Sequence, residues 1–97
     1  MTYTVTKSAT FLRWMNQLRD KRAKARIAIR IDRVEEGNFG DHRSVGGGVS
    51  ELRVHVGKGY RVYYAIRNEM IVVLLCAGDK STQAQDIKRA QQMASEL

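Results

Sequence analysis

The chain has 97 residues, 43% hydrophobic and 28% charged, which is typical of one soluble globular domain spanning residues 1–97. Its 17 Lys and Arg outnumber 10 Asp and Glu and give a net charge of +7, so nucleic acid is the expected class of partner. A single cysteine excludes a disulfide framework, and no apolar run is long enough to cross a membrane, so the cytosol is the expected compartment.

The first third of the chain predicts a short edge strand followed by two helices. Tyr3-Thr4-Val5 is rich in strand-forming residues, and Ser8 is a suitable cap for a first helix. Asp20 should cap a second helix that runs to about Glu36 and ends at Gly37. The apolar residues that should face the core are Phe11, Leu12, Met15 and Leu18 in the first helix, and Ala23, Ile27, Ile31 and Val34 in the second.

The second predicted helix is unusually basic on its remaining positions. Its six cations are Lys21, Arg22, Lys24, Arg26, Arg30 and Arg33. They form either a solvated face or a surface for nucleic-acid phosphates, and contacts of the second kind position a ligand without reading its sequence. Lys24 and Arg30 are the candidate substrate-binding residues of this helix.

The stretch from Val49 to Lys80 predicts three antiparallel strands joined by two tight turns. Apolar and polar residues alternate through the first two strands, while the third, from Ile71 to Cys76, is apolar on both faces and should be central. Residues 38–48 read as a loop with possible strand character around 43–45. The Gly46-Gly47-Gly48 run lacks the lysine and the following helix of a phosphate-binding loop.

A last helix should follow Ser81 or Thr82, with Asp86 in its early turns. The predicted architecture is therefore α+β, in the order β-α-α-β-β-β-α, with the helices packed on one face of a small twisted antiparallel sheet. The opposite face would be exposed and basic, with Arg53, His55, Arg61 and Tyr63 on it. Two histidines and one cysteine lack the spacing of metal ligands, so neither a metal nor another cofactor is expected.

The segments SELRVHVGKGYRVYY and LLCAGDKSTQAQDIKRA resemble the RelE/ParE toxin superfamily, and most closely its HigB-like, often phage-derived addiction-module killer proteins. The resemblance extends upstream through FLRWMNQLRD and RIDRVEEGNFGDHRSVGGGVSEL. It implies a RelE-like fold and a type II toxin that is neutralised by a cognate antitoxin, usually one with a helix-turn-helix domain. RelE-like and HigB-like members cut translated mRNA in the ribosomal A site, whereas ParE-like members poison DNA gyrase.

The nuclease activity that the resemblance implies requires fixed cations around a phosphate. Metal-free cleavage proceeds by attack of a 2′-OH on the adjacent phosphate, so the transition state gains negative charge. Arg61 is the first candidate for the phosphate clamp, because its planar fork can bind two oxygens. Arg53 and Lys80 should converge on the same surface.

The acid–base residues of such a site are less clearly marked in the sequence. His55 is the candidate base and Glu51 the alternative, while Tyr63 could stack on a base of the RNA or hold a proton. Many RelE-like nucleases have a catalytic tyrosine near the C-terminus, and this chain has neither Tyr nor His after Lys80. A non-catalytic gyrase inhibitor therefore remains the alternative function.

Overall fold

The computed structural model describes residues 2–97, which form five strands, three α-helices and one 3-10 turn. In chain order the elements are β1 (Thr4–Lys7), α1 (Ala9–Gln17), α2 (Lys21–Glu35), β2 (His42–Gly46), β3 (Val49–Val54), β4 (Tyr60–Arg67), β5 (Ile71–Asp79) and α3 (Gln83–Ser95). The 3-10 turn, Lys80–Thr82, links β5 to α3. The predicted α+β class is confirmed, as is the additional short strand before Val49.

The five strands form one sheet in the order β1-β5-β4-β3-β2. Neighbouring strands are antiparallel except for β1, which pairs in parallel with β5 through Thr4 and Ile71. The predicted edge strand is therefore present. The prediction that the third strand of the 49–80 segment is central is wrong by one place: β4 is the middle strand, and β5 lies between β4 and β1.

The helix caps follow local sequence signals. The Ser8 hydroxyl accepts the Phe11 N–H at 3.0 Å and donates to the Leu75 carbonyl at 2.6 Å, so it both begins α1 and ties it to the sheet. Asp20 Oδ1 accepts the Ala23 N–H at 3.0 Å at the start of α2. An N-cap bond of this kind contributes about 1 kcal/mol.

The sheet is covered on both faces, which corrects the prediction that all helices share one face. Helices α1 and α2 pack on one face, where Phe11, Ile27 and Leu74 belong to the main core. Helix α3 packs on the other face, and there Ala90 and Ala94 meet a second group of buried apolar residues: Val49, Tyr63, Ala65, Leu75 and Cys76. Cys76 is the buried thiol expected of a lone cysteine in an apolar strand.

Candidate active site

Polar residues of β3 and β4 gather on the α3 side of the sheet. Glu51 pairs with Tyr63 and Arg53 with Arg61 across the two strands, and all four alternate with residues of the main core. The alternation in the sequence therefore placed them on the right face. The expected exposure of this face is wrong, because Glu51 and Tyr63 are both 0% exposed.

The Glu51 carboxylate is the centre of this cluster. Arg43 Nε lies 2.8 Å from one of its oxygens, and Arg61 Nε lies 3.6 Å from the other. With its oxygen turned towards the two guanidinium groups, the Gln83 amide accepts from Arg43 Nη2 at 3.3 Å and from Arg61 Nε at 3.2 Å. Arg43 and Gln83 were not predicted, because one lies in the segment read as a loop and the other on a separate helix.

These contacts give Glu51 a positioning role. Both carboxylate oxygens face guanidinium groups, so the side chain anchors the arginines and its predicted use as an alternative base is corrected. A buried carboxylate needs such pairing, because an isolated buried charge is strongly unfavourable. Two guanidinium groups against one carboxylate leave a positive surplus at the edge of the cluster.

Arg61 is the cation that the cluster fixes most firmly. Its side chain is 12% exposed, its Nε faces Glu51, and its Nη1 donates to the Gly59 carbonyl at 3.3 Å. Across residues 2–97 no side chain or carbonyl occupies its Nη2. Nη2 is therefore the nitrogen of this guanidinium that is left to donate to a phosphate oxygen.

Lys80 lies beside the turn between β3 and β4, whereas Lys24 lies on α2, away from the strands that carry the Glu51 cluster. A Cβ built on Gly59 would come within 2.8 Å of Lys80 Cε, so the lysine stem passes directly over the glycine whose carbonyl binds Arg61. Lys80 and Arg61 therefore both lie near Gly59, and their predicted convergence on one phosphate stays a prediction. Lys24 lies in the second turn of α2, and its predicted contact with substrate stays a prediction.

A second ionic group lies at the end of β3, around Asp41. One oxygen of Asp41 accepts from Arg53 Nε at 3.1 Å and Nη2 at 2.7 Å, and the other forms a short hydrogen bond with His55 Nε2. The His55 bond, followed by the Arg53 bonds, lowers the pKa of the Asp41 carboxyl below its usual value. Asp41 was missed because nothing in a loop sequence identifies its partners.

His55 remains the candidate base. Its side chain is 67% exposed, and the bond from Nε2 to Asp41 leaves Nδ1 as the ring nitrogen available to a ligand. A carboxylate on one ring nitrogen fixes the orientation and tautomer of the imidazole, which is what a general base requires. Arg53 is bound to Asp41 through Nε and Nη2, so Nη1 is the nitrogen that it has left for a substrate.

Arg30 belongs to the framework of the site. Its guanidinium donates to the carbonyls of Arg53 at 2.6 Å, Phe39 at 2.9 Å and Asp41 at 3.0 Å. Burial lowers its pKa. These bonds fasten the 39–41 loop to β3 and so place Asp41, which replaces the predicted substrate contact of Arg30 with a structural role.

Tyr63 is enclosed between the sheet and α3. Within the described part of the chain its hydroxyl has no hydrogen-bond partner, and burial raises its pKa. A fully buried ring offers no face to an RNA base, so the predicted stacking role is corrected.

The family model described as "Phage derived protein Gp49-like (DUF891)" matches residues 13–95. The chain belongs to the Gp49-like family. An uncharacterised protein of Haemophilus influenzae is 50% identical to this Gp49-like chain over 97 residues, covering 100% of the chain and 98% of the relative.

Two solved structures share the fold of the Gp49-like chain. A mutant of the Escherichia coli toxin RelE in the free state matches with a TM-score of 0.73 and 15% identity, covering 99% of this chain and 97% of RelE. A chain of the RelBE2 toxin–antitoxin complex of Mycobacterium tuberculosis matches with a TM-score of 0.66 and 22% identity, covering 82% of this chain and 100% of that one. The predicted RelE-like fold is confirmed.

Two classes of feature are missing from residues 2–97 of the Gp49-like chain. No group of three or more His, Cys, Asp or Glu is placed to hold a metal ion. No helix in this range is long and apolar enough to span a membrane.

Proposed function

We propose that this Gp49-like protein is the toxin of a type II toxin–antitoxin system and cuts mRNA on the ribosome. The observation that supports this most directly is Arg61, whose Nε faces a buried carboxylate in a basic cluster while its Nη2 is left to donate to a phosphate. The fold, shared with RelE and with a chain of the RelBE2 complex, supports the same assignment.

The proposed reaction needs no metal. The RNA 2′-oxygen attacks the adjacent phosphorus, the bond from phosphorus to the 5′-oxygen breaks, and the products are a 2′,3′-cyclic phosphate and a 5′-OH. His55 Nδ1 accepts the proton of the 2′-OH, and water supplies a proton to the leaving 5′-oxygen. Arg61 donates to the phosphate oxygens as charge develops, and Lys80 adds a second positive charge on the same side.

A cognate antitoxin is part of this proposal. RelBE2 is a toxin–antitoxin complex, and a chain of it shares this fold. The resemblance to HigB-like proteins suggests an antitoxin with a helix-turn-helix domain. An antitoxin that covers Arg61 and His55 would block access of RNA to the proposed site.

The nuclease proposal is tested with purified toxin, ribosomes and a translated mRNA. Wild-type protein should generate cuts that end in 2′,3′-cyclic phosphate only when ribosomes are present. Arg61→Gln should lower the cleavage rate by about 100-fold or more, the size of effect seen when one fixed donor to a developing oxyanion is removed. Arg13→Gln removes one charge from the exposed side of α1 and is the matched control. Equal rates for wild type and Arg61→Gln would refute this site.

Gyrase inhibition is the second candidate, and one observation favours it. Helix α3 and the residues after it contain neither Tyr nor His, so the C-terminal acid–base residue of many RelE-like nucleases is missing. A gyrase inhibitor would arrest growth and trap cleaved DNA on gyrase while leaving translated mRNA intact. Cut transcripts together with unaffected gyrase supercoiling would eliminate this candidate.

A further inference from the structure

A groove between the outer side of α2 and the end of β3 has no role in the chemistry described above. It encloses about 340 Å³ and is lined by Arg26, Ile29, Arg30, Arg33, Val54 and His55. His55 is therefore shared between this groove and the candidate active site. A ligand in the groove would lie directly against the proposed base.

The lining of the groove is cationic with an apolar floor. Three arginines and a histidine line it, and none of the described lining residues is a carboxylate. Arg30 is engaged by backbone carbonyls, whereas Arg26 and Arg33 are exposed. Arg26 and Arg33 are seven residues apart and thus separated by about 10.5 Å along the helix axis.

Ile29 occupies the helix surface between these two arginines. It is 46% exposed, although large aliphatic side chains on α2 otherwise face the core. Two separated cations with an apolar surface between them suit a chain that is charged at intervals and less polar in between. The backbone of single-stranded RNA, with phosphates separated by ribose, has that pattern.

We propose that this groove binds the backbone of the single-stranded RNA that flanks the cleaved phosphate. The inference rests on the proposed nuclease function, because a polymer whose 2′-OH lies at His55 must continue away from it on both sides. The groove begins at His55 and is lined by the charges that phosphates require. No Phe, Tyr or Trp is among its described lining residues, and the contacts of its arginines with phosphates position the strand without reading its sequence.

The test uses the full-length protein and a fluorescent RNA hexamer with 2′-O-methyl groups, which cannot be cleaved by 2′-OH attack. Binding is followed by anisotropy over a series of salt concentrations. Arg26→Gln combined with Arg33→Gln should weaken binding about tenfold, and the slope of log K against log salt should become shallower by about 1.4, since each single-strand phosphate contact contributes about 0.7. The matched control is Arg13→Gln combined with Arg89→Gln, which removes the same charge from exposed positions on α1 and α3.

The possible results separate this proposal from general electrostatic attraction. A loss confined to the Arg26/Arg33 pair supports the groove. Equal losses in both pairs, or no binding of the hexamer by the wild type, would overturn it. If the Arg26/Arg33 pair binds RNA normally but loses affinity for the antitoxin, the groove docks an acidic protein segment and the RNA proposal is wrong.

The nuclease proposal is tested separately, by measuring both cleavage and hexamer binding. Arg61→Gln should lower the cleavage rate by about 100-fold or more yet bind the hexamer within about twofold of wild type, because Arg61 acts on the transition state. Groove-dependent binding of RNA without any cleavage by the wild type would retain the groove and reject the nuclease. If the wild type cleaves mRNA but the Arg26/Arg33 variant binds RNA as tightly as the wild type, the nuclease proposal stands and the groove proposal is wrong.

Discussion

Replacing Glu51 by glutamine removes the buried charge that positions Arg61 while preserving the shape of the side chain. Glu51 is fully buried, and its oxygens lie 2.8 Å from Arg43 Nε and 3.6 Å from Arg61 Nε. The Arg43 side chain is 52% exposed, so that pair contributes less than about 1 kcal/mol. The Arg61 side chain is 12% exposed, and breaking a well-buried pair costs about 3–5 kcal/mol.

The cost of losing the Arg61 pair should be smaller than about 3–5 kcal/mol for two reasons: the two groups are 3.6 Å apart, and the new amide can still accept a hydrogen bond. We therefore expect Glu51→Gln to lower the free energy of unfolding by about 2 kcal/mol, equivalent to a fall in Tm of roughly 10 °C for a chain of this size. A fall of similar size should persist in about 0.5 M salt, because a buried pair is screened much less than a surface pair. Thermal unfolding followed by circular dichroism measures both quantities.

The control is Glu36→Gln, the same chemical change at the exposed end of α2. It should alter the free energy of unfolding by less than about 0.5 kcal/mol. If Glu51→Gln is as mild as this control, the carboxylate does not anchor the arginines and the reasoning about Arg61 fails. If its effect disappears in high salt, the pair behaves as a solvent-exposed one.

Two further predictions concern titratable groups elsewhere in the molecule. Burial raises the pKa of Cys76 to about 11, so only about 0.1% of this thiol is thiolate near pH 8. Iodoacetamide should therefore label Cys76 quickly only after unfolding, as measured by mass spectrometry. Rapid labelling of the native protein would contradict the burial of Cys76. The pKa of Asp41 is lowered by His55 and Arg53, so its carboxylate stabilises the fold above the unfolded pKa of about 4, and this stability is lost as pH falls through the folded pKa. Asp41→Asn should therefore flatten the decline of stability in acid measured by urea unfolding, with Asp32→Asn as the control, and parallel acid profiles for wild type and Asp41→Asn would count against the ionic group.

Features that depend on neighbours in the sequence were predicted well. Ser8 and Asp20 cap their helices because a side-chain oxygen needs only the N–H three residues ahead. One of the two predicted tight turns, between β4 and β5, spans residues 68–70, and Asn68 and Glu69 adopt φ values of 52° and 63° in it. Each of these structures is fixed by a few consecutive residues.

The candidate site could be predicted only in part, because its ion pairs join distant segments. The alternation of β3 and β4 correctly placed Glu51 and Arg61 on one face, since that depends on strand geometry alone. The pairing of Glu51 with Arg43 depends on the register of β2 and β3, and that of Asp41 with His55 on a loop fastened by Arg30. No local pattern in residues 38–48 encodes either contact.

The error in exposure has a specific cause in β5. Tyr63 pairs with Cys76 and Tyr64 with Leu74, so Leu75 is an extra residue in this strand, and Leu75 and Cys76 both face α3. Such a bulge is invisible to a strict alternation of two, and it supplies the second apolar surface that α3 covers.

Gly78 explains how the start of α3 comes close enough to complete the site. A Cβ at this position would lie 1.9 Å from Asp86 Oδ2 and 2.7 Å from Thr82 Oγ1, so any larger residue would displace these two side chains. That approach places Gln83 within 3.2 Å of Arg61 Nε. Gly78 on β5 thus leaves room for the start of the helix that carries Gln83, a partner of Arg61 on β4. The Gly-Asp-Lys sequence after an apolar strand acts as a packing requirement for the arginine cluster as well as a turn into the last helix.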